Sequence, residues 1–339
     1  MMKKLPIIFC LIFILTQLAI AEEMVPPGEQ GDDPDAHLGT ESTFWIDQAQ
    51  KKWSGDITNL AVYIDSLMGD ISAIQDSNKS YLKLYLGFNA SKYNNIEPEA
   101  QARFSLDLPI TKKRLRLVLE SDLIQGDNLG ENEVGQLPAN QDQDSDDIYA
   151  SFRYLFKSDL WQRLSFDWGV KAKWTPDLFS RARGVRSWQL SDRWSMRFSQ
   201  ELYWFESKGV GTRTTFDFDH PVIDTYLLRL TSATDWYQRE GRLDFLKQLS
   251  VFHNISERRA VQHSFGVNVE RQNSHTFVTN YVLKTTYRRR LYKEWLYYQL
   301  SSGFDFSREE SFNADPFIYF RIEVLFSESA GRRLRTRLD

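Results

Sequence analysis

Cysteine is nearly absent: the single one, Cys10, falls in an apolar run at the N-terminus. Disulfides and thiol chemistry are therefore excluded from the chain that follows that run. Long hydrophobic stretches are lacking too. After residue 21 no segment approaches the roughly 18 apolar residues that a membrane-crossing helix needs, so a helical membrane protein is excluded. Glycine and proline are scarce, 17 and 10 in 339 residues, which points to long elements over many short ones joined by turns. Histidine occupies only five positions, which leaves few bases for a hydrolytic site. Neither sign of charge dominates: 42 basic residues face 46 acidic ones, and no basic patch suits a nucleic acid.

The chain opens with Lys3 and Lys4, the apolar run, and Ala19-Ile20-Ala21, the parts of a secretory signal peptide over residues 1–21. Cys10 lacks the small residues that a lipid-attachment site wants just before it, so the signal reads as cleaved. Residues 22–42, with Pro26, Pro27, Gly28, Gly31 and Pro34 among many acids, read as a disordered acidic linker. Over residues 43–70 the apolar positions Ile46, Ala49, Trp53, Ile57, Leu60, Ile64 and Leu67 recur at three- and four-residue steps. That spacing predicts an amphipathic helix, capped by Ser42 or Thr43 and ending near Gly69.

From Ser80 the period changes to two. Leu82, Leu84, Leu86 and Phe88 alternate with Tyr81, Lys83 and Tyr85. Leu164, Phe166, Trp168 and Val170 alternate with Arg163, Asp167 and Lys171, and Ile318, Phe320, Ile322, Val324 and Phe326 with Tyr319, Arg321 and Glu323. Each strand thus has one apolar and one polar face. Residues 80–326 accommodate about 14 such strands, an even number as single-chain barrels require. The stretches 178–190 and 242–253 alternate poorly. Short links at Pro109–Lys113, Lys157–Leu160, Ser191–Asp192, His220–Asp224, Asn254–Arg258 and Arg289–Lys293 take turns with links that include long ones at Tyr93–Gln101, Asp122–Asp147 and Arg308–Pro316. A soluble sandwich has no reason for that rhythm; a barrel with turns on its periplasmic side and loops outside does. The predicted class is all-β, a transmembrane antiparallel β-barrel with a short N-terminal periplasmic helix.

Tryptophans support the assignment. Trp188 and Trp194 flank one inner turn, while Trp174, Trp204 and Trp236 lie at outer strand ends, as two interfacial girdles would. The strand from Trp194 to Trp204 covers about 33 Å, or a band about 24 Å tall at roughly 45° of tilt. Trp161 and Trp295 stand off the apolar parity and read as turn residues.

The polar parity collects the candidate lumen residues: Arg103, Asp107, Arg114, Arg116, Glu120, Arg153, Arg163, Asp167, Lys171, Lys173, Arg197, Glu201, Arg213, Asp217, Lys284, Asp305, Arg321 and Glu323. They fit either a set of ion pairs that braces the interior or a water-filled path whose basic excess favours anions. On this parity an arginine at Trp168 should be costly and one at Asp167 much milder.

Residues 80–326 resemble a proteobacterial outer-membrane β-barrel protein of unassigned function. The last strand, F-I-Y-F-R-I-E-V-L-F, looks like the closing segment that such barrels present to their assembly machinery, although a basic tail, residues 327–339, follows Phe326. The run L-P-I-T-K-K-R-L-R-L-V-L-E-S-D from Leu108 is similar to barrels of the same class. The resemblance implies the outer membrane of a Gram-negative bacterium, contact with its lipid, and the barrel-assembly machinery as a partner during insertion. The expected role is a passive channel or porin-like protein of unknown substrate. The alternative is a non-conducting structural or assembly-related barrel that binds a periplasmic partner through residues 43–70, which would otherwise pack on the rim or plug the lumen.

An enzyme is disfavoured. His37 falls in the linker, His220 in a predicted turn, His253 and His263 near an inner turn and His275 near an outer loop; His263 and Ser264 point to opposite faces and so cannot pair as base and nucleophile. The acids Asp142, Asp144, Asp146 and Asp147 are spaced like Ca²⁺ ligands, but the glycine and the bidentate glutamate of an EF-hand loop are missing. No metal or cofactor is expected.

Overall fold

A computed structural model describes residues 80–93, 96–108, 115–120, 148–172, 175–223, 225–272, 275–292 and 295–327. The predicted signal, linker and helix, the outer segment 121–147 and the tail beyond Ser327 lie outside these residues.

The described chain is a succession of strands: β1 (Tyr81–Ser91), β2 (Glu97–Asp107), β3 (Leu115–Glu120), β4 (Ile148–Phe156), β5 (Arg163–Ala172), β6 (Asp177–Ser191), β7 (Trp194–Phe205), β8 (Gly209–Ile223), β9 (Tyr226–Tyr237), β10 (Arg242–Ser256), β11 (Arg259–Gln272), β12 (His275–Tyr292), β13 (Leu296–Ser307) and β14 (Asp315–Ser327). Each pairs antiparallel with its sequence neighbours, and β1 pairs β14 from Tyr81↔Ser327 to Ser91↔Phe317, which closes the barrel. Closure removes the free edges that a 14-stranded open sheet would leave.

Several boundaries differ from expectation. β2 already begins at Glu97, so the loop expected over Tyr93–Gln101 is partly strand, with Glu97 paired to Asn89. β8 continues to Ile223, which pairs Tyr226 across a bulge after Pro221. The stretch His220–Asp224 is thus mostly strand, and His220 is a strand residue. β10 and β12 likewise run on to Ser256 and Tyr292. In each case the hairpin is tighter than polarity suggested, because cross-strand pairing carries on through the polar residues that suggested a turn.

The closed sheet has two chemically opposite faces. Outward positions are exposed and apolar, among them Leu86 at 60%, Leu202 at 55% and Phe265 at 46%. Inward positions are buried and polar. The two poorly alternating stretches form full strands, β6 and β10. In β6 the outward position Gly184 is small because Trp161 lies over it: an added Cβ would stand 2.6 Å from the indole. Trp161 stacks on Phe198 at 5.9 Å, and Phe198 meets Trp188 and Phe216. Trp161 lies in the connection between β4 and β5, as its reading as a turn residue expects, and from there joins an outward aromatic cluster. Trp204 and Trp236 are exposed on the outer face, and the Trp194 ring meets His220 at 4.6 Å in a tilted contact. Trp174 lies outside the described residues.

Candidate functional site: the inner wall

Because the side-chain period of a strand is two, every second residue of a barrel strand points inside. The inward residues of β2 to β9 form a chain of ion pairs between neighbouring strands. Arg103 on β2 reaches Glu120 on β3 at 3.6 Å, and Arg153 on β4 reaches the same carboxylate at 3.6 Å. Arg153 also holds Asp167 on β5 in a two-point contact, 2.8 and 3.0 Å. Arg181 on β6 reaches Asp167 from the other side at 2.6 Å. The chain goes on through Arg183 and Glu201 at 3.2 Å, Arg197 and Asp217 at 3.7 Å, Arg213 and Asp235 at 2.9 Å, and Arg229 and Asp219 at 2.6 Å. Arg242 meets Asp244 on its own strand at 3.2 Å. These groups are withdrawn from water, with Asp217 and Asp235 at 0% exposure. Such burial is tolerable only because each charge faces a partner of opposite sign.

The wall changes character from β10 to β13. There the inward groups are mostly amides and hydroxyls: Gln248 and Gln262 both donate to Ser250, Asn268 donates to Asn280, Asn280 to Asp305 at 3.1 Å, and Thr286 meets Ser301. Lys284 is buried among them. Charge returns at the seam, where Glu323 takes Lys83 at 3.0 Å and Arg288 from β12, while Arg321 donates to Gln299 at 3.2 Å.

Near the outer strand ends, inward aromatics gather into one cluster of Tyr149, Phe179, Tyr203, Phe205 and Tyr237. Phe179 and Phe205 stack at 5.7 Å, and the Tyr203 and Tyr237 hydroxyls both donate to Asp235, the partner of Arg213. Lys171 lies over the Tyr149 ring at 5.3 Å. Gly211 makes room for this packing, since a Cβ there would stand 2.1 Å from the Tyr203 ring.

Of the remaining sequence-predicted residues, Arg116 is buried on β3, and Arg163 is half-buried at the start of β5. Asp107 stands opposite Arg116 in the β2–β3 register. Arg114 and Lys173 lie outside the described residues, as do Asp142, Asp144, Asp146 and Asp147. Sequence reasoning missed Lys83, Arg181, Arg183, Asp219, Arg229, Asp235, Asp244 and Arg288, all on the inward parity. That parity reaches Lys83, Asp219, Arg229, Asp235 and Arg288, whereas Arg181, Arg183 and Asp244 fall in the two stretches that alternate poorly. Asp167 also has to be read differently: it is clamped between two arginines, so it is not a tolerant position.

The histidines show no hydrolytic grouping among the described residues. His220 Nδ1 is 2.9 Å from the Arg193 carbonyl oxygen, His253 stacks on Tyr226 at 4.1 Å, and His263 contacts the Thr285 hydroxyl at 2.9 Å. Ser264 faces the opposite side from His263 and is buried.

A closed antiparallel sheet with an apolar exposed exterior and a charged, buried interior defines a transmembrane β-barrel of the outer-membrane kind. No protein-family model and no curated protein matches the chain. Among solved structures it is similar in overall barrel shape to a bacterial polysaccharide outer membrane secretin, at 9% identity and TM-score 0.43, over 74% of this chain and 99% of that one. It is similar likewise to a loop-deleted OmpT, an outer membrane protein of Vibrio cholerae, at 8% identity and TM-score 0.44, over 73% and 98%. A third is the outer membrane channel DcaP of Acinetobacter baumannii, at 8% identity and TM-score 0.39, over 73% and 96%. The chain is an outer-membrane β-barrel protein; its setting follows from its own two faces.

Proposed function

We propose that the barrel is a passive, porin-like channel for small polar solutes and is not an enzyme. The observation that carries this reading is the direction of the ion pairs. They run along the wall from strand to neighbouring strand, as Arg153–Asp167–Arg181 does across β4, β5 and β6. Fourteen strands enclose more space than side chains alone fill in an eight-stranded barrel, and charges fixed along the wall supply a polar surface for transit. The candidate lumen residues Arg103, Arg153, Lys171, Lys284 and Arg321 would set a local basic excess and hence a weak preference for anions. Barrel-assembly machinery would insert the chain, and residues 43–70 are the proposed contact for a periplasmic partner.

One observation favours the second reading, a non-conducting structural barrel: the inward charges are almost wholly shielded, with Lys83 at 0% exposure. Planar lipid bilayers separate the two. The channel reading expects discrete conductance steps from purified, folded protein. A folded barrel that stays silent, with and without residues 43–70, supports the structural reading instead.

A further inference from the structure

The outer face of β7 to β10 carries a polar island at mid-strand, separate from a second outward polar row formed by His263, Thr285 and Ser302 on β11 to β13. Lys247 on β10 is exposed and shares its parity with Leu249, while its neighbours Leu246 and Gln248 point inward and are buried. Its ammonium donates to the Ser232 hydroxyl on β9, directly opposite in the register. On the same outward face the Gln200 side chain on β7 donates to Thr212 at 2.6 Å and accepts from Thr214 at 2.8 Å, both on β8. Thr234 on β9 stands opposite Thr214. Around this polar island lie the exposed apolar residues Leu202, Trp204, Trp236 and Leu249.

The island is not at an interface with water. In the β9–β10 register Leu243 faces Trp236 at the outer level and His253 faces Tyr226 at the inner level. Lys247 falls between them, about 13 Å along the strand from the first. Hydrocarbon is a poor neighbour for a lysine at such a depth, and a row of hydroxyls there has nothing to gain from lipid tails.

We infer that this face is covered by a second copy of the chain, in a two-fold contact centred on Thr214 and Thr234. The chemistry is self-complementary. At one edge Lys247 has donors to spare beyond Ser232; at the other, Gln200 Oε1 keeps a second lone pair after accepting from Thr214. These edges are three strand spacings apart, about 14 Å. A two-fold axis between β8 and β9 brings each Lys247 to the other copy's Gln200, and the reverse, as an isologous contact requires. Among the described residues the outward mid-strand face of these four strands carries no carboxylate, so the donor and acceptor edges, rather than an ion pair, fix the orientation.

The test uses the full chain in a Cys10→Ser background, reconstituted in vesicles of phosphatidylethanolamine and phosphatidylglycerol. Thr234→Cys, which the axis between β8 and β9 places about one strand spacing from its counterpart across the contact, is expected to be joined into a covalent dimer by a short bismaleimide in most of the population. Leu119→Cys, an exposed outward position on the distant strand β3, is expected to remain monomeric. Lys247→Leu should lower the dimer fraction of unlinked protein at least tenfold, with the heat-dependent gel mobility of a folded barrel kept. A Thr234→Cys protein that stays monomeric, or a dimer fraction unchanged by Lys247→Leu, overturns the inference. So does a monomer whose Lys247→Leu variant loses only binding of the anionic lipid, which would assign the patch to lipid phosphate.

Discussion

Lys83 on β1 and Glu323 on β14 meet at 3.0 Å across the seam where the first and last strands join. Glu323 also takes Arg288 from β12, so a single carboxylate holds cations from both sides of the closure. Glu323→Gln is expected to leave two buried cations without their counter-charge, at a cost of about 3–5 kcal/mol. Lys83→Met should cost less, since Glu323 keeps Arg288. Urea unfolding from liposomes, followed by tryptophan fluorescence, checks the order of the two.

Asp167 and Trp168 are adjacent and fail for different reasons. Asp167→Asn strips the shared acid from Arg153 and Arg181 and is expected to destabilise by about 3–5 kcal/mol. Adding Arg153→Met should restore part of that loss. Trp168→Arg places a charge on the exposed apolar face and should cost about 2–4 kcal/mol, with no relief from Arg153→Met. A double-mutant cycle on unfolding midpoints distinguishes these outcomes, and equal rescue in both backgrounds contradicts the assigned faces.

The period-two pattern made the barrel legible because one face meets lipid and the other does not. Even the weak stretches had physical causes: Gly184 sits under Trp161, and Lys247 interrupts the apolar parity of β10. Strand ends were less legible. Pro221 and the polar residues beside it suggested a turn, yet backbone pairing carries β8 through to Ile223. The inner wall was read as individual charges on a parity. Its organisation was not readable, because pairs such as Arg181 with Asp167 and Arg229 with Asp219 depend on cross-strand register, which is set only once neighbouring strands are placed.

Gly211 has no room for a side chain beside the Tyr203 ring. Gly211→Ala is expected to push Tyr203 off Asp235 and cost about 1–3 kcal/mol by overpacking. Near-ultraviolet circular dichroism should lose intensity while the far-ultraviolet strand signal remains. An unchanged aromatic signal would contradict the packing of the outer-mouth cluster.

The reversal potential in a salt gradient across a planar bilayer tests most directly whether the inner-wall charges line a conducting path. Wild-type protein is expected to show discrete steps with a weak anion preference. Replacing Lys171 and Lys284 together with Gln should move the reversal potential toward cations while the barrel stays folded. A folded barrel with no conductance, or a reversal potential that the double substitution leaves in place, would contradict the account.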